Sequence, residues 1–211
     1  MKQTQQASVK LFKRGSLLIL VVIAALVAGC GGVVFSPADA AVRQTMENQL
    51  PEFTVNPNSI EVLQQVELSN VMIVLVKFSG IRVSAGQEEC LFTHSVKRTW
   101  MGTYQGGGGG GGCSSQKPDP EAQPISIMSG KNSGDGIGDP GYSEVDGEVF
   151  RDDITSVIIT WSDGKTEKLD VIARSYLAAR EGQFDRSKVE ALNAAGEVVY
   201  TDELNIAPGK Q

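Results

Sequence analysis

Hydrophobic and polar positions change their rhythm several times along this chain. Leu17 to Ala28 is apolar at every position, and the sixteen residues before it are polar and basic. As a helix, those twelve residues rise ~18 Å, well short of the ~30 Å hydrocarbon core of a bilayer. After Ser36-Pro37 the period becomes helical. Ser36 suits an N-cap, Pro37 the first turn, Asp39 the positive end of the dipole, and Ala38, Val42, Met46 and Leu50 form an i,i+4 stripe that Pro51 ends.

From Ile60 the period is two. Ile60, Val62, Val66 and Leu68 fall on one face, with Glu61, Gln65 and Glu67 on the other. The run from Val71 to Phe78 is apolar throughout and predicts a central strand covered on both faces, ended by Ser79-Gly80. Leu91 to Trp100 predicts a third strand with Phe92, His94, Val96 and Trp100 on one face. The seven glycines at 106–112 lose the most backbone entropy on ordering, so a mobile loop is expected there, continued by a polar linker to Pro140. Alternation resumes over Ile154 to Trp161. Ser162-Asp163-Gly164 marks a hairpin turn, Glu167 to Ala173 returns, and Val189 to Tyr200 holds a second glycine-containing hairpin.

The fold expected is therefore mainly β, with antiparallel sheets in a sandwich-like arrangement and one short N-terminal helix. The expected organisation is a signal peptide over 1–29, then an anchor, helix and stalk over 30–59. A first β region covers 60–105, the glycine-rich loop and linker 106–140, and a second β region 141–211. The second region resembles the small β-sandwich modules of many bacterial surface proteins, a likeness of shape that carries no functional residue across.

Val27-Ala28-Gly29-Cys30 resembles the lipobox of bacterial lipoproteins. That resemblance implies cleavage before Cys30, lipid attachment at Cys30 and a location on the extracytoplasmic side of the cell membrane. An uncleaved anchor crossing the bilayer from Leu17 to Phe35 stays open. Both arrangements keep Lys2, Lys10, Lys13 and Arg14 in the cytoplasm and the rest outside.

Charge sharpens the picture once the leader is set aside. Four of the 19 cations belong to it, leaving 15 against 25 acids. A body of net charge −10 repels nucleic acid, and no basic stripe with interleaved aromatics offsets that.

With Cys30 assigned to lipid, Cys90 and Cys113 remain as a disulfide pair in a compartment that permits one. The chain has no CxxC spacing, and His94 is its one histidine. No metal or triad constellation is legible, and no cofactor is implied. The stretch from Lys131 to Asp139 looks like a calcium loop of the EF-hand or thrombospondin-repeat kind, with Asp135, Gly136 and Asp139 in place. Lys131 stands at the first ligand position and Tyr142 where a bidentate acid belongs, so a turn-rich linker is the expectation.

The function expected is a non-enzymatic, envelope-anchored module that binds a protein partner or supports structure. The alternatives are an extracytoplasmic enzyme with a site built from scattered residues, and a ligand- or cation-capturing lipoprotein.

Overall fold

The computed structural model describes residues 36–47, 52–134 and 139–204. Helix α1 (Pro37–Glu47) is followed by strands β1 (Phe53–Val55), β2 (Glu61–Glu67), β3 (Val71–Arg82), β4 (Gly86–Arg98), β5 (Tyr104–Ser114) and β6 (Met128–Asn132). The second half holds β7 (Tyr142–Glu148), β8 (Ile154–Trp161), β9 (Thr166–Asp170), β10 (Ser175–Glu181), β11 (Arg186–Asn193) and β12 (Val198–Glu203). The fold is mainly β and sandwich-like, as the alternation predicts.

The strands form three antiparallel sheets. In the first, which curls into a half-barrel, β1 and β2 lie end to end along one edge of β3, and β4 and β5 follow on the other. The second has the order β10-β7-β6 and the third β12-β11-β8-β9.

Three cores stack these elements into layers. Ala40 and Ala41 of α1 pack on Val74, Val76, Phe78 and Val96 of the first sheet. On that sheet's other face, Ile73, Leu75 and Leu91 meet Tyr142, Leu177 and Ala179 of the second. Val145, Tyr176 and Ala178 then meet Val157, Ile159, Trp161, Val189 and Ala191 of the third. β3 and β7 are thus central strands with both faces covered, and a strand so placed reads as a continuous buried run.

Several local expectations need correction. The helix buries Ala40, Ala41 and Thr45, not the stripe through Val42 and Met46. Small side chains let the helix axis lie close on the sheet, and Met46 is turned outward. A bulge between Val62 and Gln64 turns β2 over, so Val62 faces the helix side while Val66 and Leu68 face the second sheet. β3 runs on through Gly80 to Arg82, and Trp100 lies beyond β4, 93% exposed in the turn before β5.

The glycine run is no loop. It forms most of β5, paired in register with β4 from Ser114 opposite Glu89 to Tyr104 opposite Arg98. Two of the seven positions explain themselves sterically. A Cβ on Gly109 would fall 2.7 Å from His94 Nδ1, and one on Gly111 would fall 2.6 Å from Phe92 Cγ. The rings of β4 lie over the bare strand and fill the space its missing side chains leave.

The expected linker also contributes structure. It holds β6 and the fully buried Ile125, Tyr176 donates its hydroxyl to Ser126 O, and Glu148 N–H donates to Ser126 Oγ.

Candidate functional site

The most polar interior lies between the first and second sheets. Side chains on a strand alternate, so Glu144, Asp146 and Glu148 of β7 all face the first sheet. Glu148 sits at the outer end of this row and is met by Lys77, which also reaches Glu89 at 3.4 Å. Burial alone would lower the Lys77 ammonium, but the Glu148 carboxylate, with help from Glu89, outweighs it and holds the pKa above its usual value.

Further in, Glu144 accepts a hydrogen bond from Thr93 Oγ1 at 2.7 Å. Its other oxygen, and Oδ2 of Asp146, are buried with no protein partner. An unpaired buried charge is costly, and the group responds by holding its proton. Burial, then the neighbouring Glu144, pushes Asp146 up to about 7. Burial also raises Glu144, with the Thr93 bond opposing it.

On the other face of β4, His94 reaches α1. Thr45 Oγ1 donates to Ala41 O, so His94 Nε2 is the donor in its 2.8 Å bond with Thr45 Oγ1. That fixes the neutral Nε2–H tautomer. Nδ1 faces Gly109 without a partner. Burial lowers this imidazole to about 4.

A cleft of about 450 Å³ opens beside the Lys77–Glu148 pair, lined also by Glu89, Ser114, Pro118, Phe150 and Arg174. Glu144 and Asp146 do not line it. The cleft therefore presents opposed charges that neutralise one another, while the two raised carboxyls lie in the packed layer behind it. The arrangement can join two sheets and take up a proton; it does not aim a proton-bearing acid at a bound molecule.

The structure joins Cys90 to Cys113, directly opposed across β4 and β5 with Cα atoms 4.0 Å apart. Cys30 lies outside the described residues, as does Asp135. Asp139 Oδ1 accepts the Gly141 N–H at 2.9 Å, and Oδ2 lies 3.7 Å from Lys97 Nζ. Among the described residues no group of three or more His, Cys, Asp or Glu side chains is placed to hold a metal.

Sequence reasoning missed the acid row, because Ser143 to Glu148 reads as a polar edge. The signal was there in the spacing: acids at 144, 146 and 148 alternate with serine, valine and glycine.

No protein-family model, curated protein or solved structure matches this chain.

Proposed function

We propose that this chain is an envelope-anchored, extracytoplasmic β module that works through interaction with other protein, not through catalysis. The observation that carries the reading is the Cys90–Cys113 bridge across β4 and β5. Such a bond persists in compartments where thiols are not kept reduced. It agrees with the lipobox-like Val27 to Cys30, which addresses the chain to that side.

Support for interaction over catalysis comes from the interior. The perturbed carboxyls are sealed between sheets, and the accessible cleft holds ion pairs already matched. A layered β body with a long exposed sheet edge is suited to pairing with another chain.

The test is a fusion of the whole chain to a phosphatase that is active only once its own disulfides form. Activity in intact cells, lost when residues 1–30 are deleted, is the expected result. An inactive fusion whose protein is nonetheless abundant and soluble in the cytoplasm overturns the reading.

A further inference from the structure

We propose that the outer edge of β5 joins two copies of this chain. The glycine strands pair antiparallel across a two-fold axis near Gly111, and the Trp100–Met101 turn of each copy seats at the Ser114 end of the other. This deepens the interaction reading by naming the partner.

The first ground is the edge itself. β5 is the last strand of its sheet, and among the described residues it pairs only with β4. Natural sheet edges are shielded by charges, prolines or covering segments. Tyr104 to Ser114 contains no charged residue and no proline, and Gly109 to Gly112 are exposed. One bulge, between Ser95 and Val96 of β4, interrupts the ladder near Gly107 and leaves Gly108 to Ser114 regular.

The second ground is register. Directly opposed residues of an antiparallel pair alternate between narrow, non-hydrogen-bonded and wide, hydrogen-bonded positions. The 4.0 Å Cα separation places Cys90 and Cys113 at a narrow pair. By alternation Gly109, Gly111 and Cys113 turn their N–H and C=O groups outward. An axis at Gly111 matches these three with the same three of a second copy, 109 against 113 and 111 against itself. An isologous contact of this kind is self-complementary and closes as a dimer.

The third ground lies at the two ends of the strand. Trp100 and Met101 are adjacent, 93% and 65% exposed, in the turn that leads into β5. The cleft lined by Ser114, Ser115, Pro118, Val149 and Phe150 adjoins its other end. The two-fold carries each exposed pair to its partner's cleft, and buried tryptophans are common anchors of interfaces. It also brings exposed Arg98, beside Tyr104, toward the half-exposed Glu89 beside Ser114.

The experiment measures the mass of the full chain, purified in detergent, by light scattering. The wild type is expected at two chains per particle. Gly110 and Gly112 would oppose each other across the axis, and a Cβ meets nothing within 4 Å at Gly110 and only Met128 Sδ, at 3.8 Å, at Gly112. The double variant Gly110→Lys/Gly112→Lys therefore keeps its fold, read by circular dichroism and the intact disulfide, and falls to one chain.

Gly110→Glu/Gly112→Glu behaves likewise. Mixing the lysine and glutamate variants restores the two-chain particle, an outcome that general destabilisation cannot produce. A monomeric wild type overturns the proposal, and so does a lysine variant that remains dimeric. A wild type whose edge is protected only by a foreign protein reassigns the edge to that partner and leaves the interaction reading intact. A dimer found on a cytoplasmic protein does the reverse.

Discussion

Asp146 and His94 titrate in the same pH range with opposite effects on stability. Asp146 has its folded pKa raised from 3.8 to about 7, so the folded state binds the proton more tightly than the unfolded chain. Its contribution is full below about pH 4 and is lost as pH rises to about 7, on the order of 4 kcal/mol in total. His94 has its folded pKa lowered from 6.5 to about 4. Its contribution is full above about 6.5 and is lost as pH falls to about 4, on the order of 3 kcal/mol. Between pH 4 and 7 the two slopes largely cancel.

Each single substitution should unmask the other. Asp146→Asn is expected to raise the melting temperature at pH 8 and leave stability falling with acid below about 6.5. His94→Gln is expected to leave stability falling as pH rises from 4 to 7. Denaturation curves at fixed pH steps check both, and parallel profiles for the two variants would contradict the assignment. Residue identity predicted none of this. His94 was legible as a sheet residue on an apolar face, but its bond to Thr45 depends on where the helix lands, and the helix lands on Ala40 and Ala41 instead of the larger apolar stripe.

At the scale of elements, β5 shows where pattern reading stops. The hairpin of β8 and β9 was legible because apolar and polar side chains alternate on both sides of Asp163-Gly164. Seven glycines carry no alternation. Their conformation is imposed by β4, whose Phe92 and His94 lie over Gly111 and Gly109 and whose Cys90 is bonded to Cys113.

Two outcomes follow for β5. Gly110→Thr should stabilise the domain by up to about 1 kcal/mol, since a branched side chain favours the strand and has open space there. Gly109→Thr should destabilise it against the His94 ring. Urea midpoints for the pair decide the matter, and equal effects would contradict the packing described. The cross-strand bond, spanning 23 positions of sequence, is worth about 3 kcal/mol on the loop-entropy argument. For a body of this size that is a fall of roughly 6–12 °C in melting temperature on reduction. Replacing Cys90 and Cys113 with serine should give the same fall and remove further sensitivity to reductant.

At the scale of the molecule, the layered order of helix and three sheets was only partly visible in the sequence. The two β regions stood out, but the segment between them was read as a linker because Ser114 to Pro140 is polar and rich in turns. Its strand β6 completes the middle sheet, and Ile125 is part of the innermost core. Contacts such as Lys77 with Glu148 and Gln64 with Ser175 join the two regions into one body.

The leader carries the claim about where this body works, and Cys90–Cys113 carries the claim that it works in an oxidising place. One measurement addresses both. Protein recovered from membranes is alkylated before any reduction, and its intact mass is then determined. The account predicts a chain beginning at Cys30, heavier by a lipid, with Cys90 and Cys113 unalkylated. A chain that begins at Met1 and carries alkyl groups on all three cysteines would contradict it.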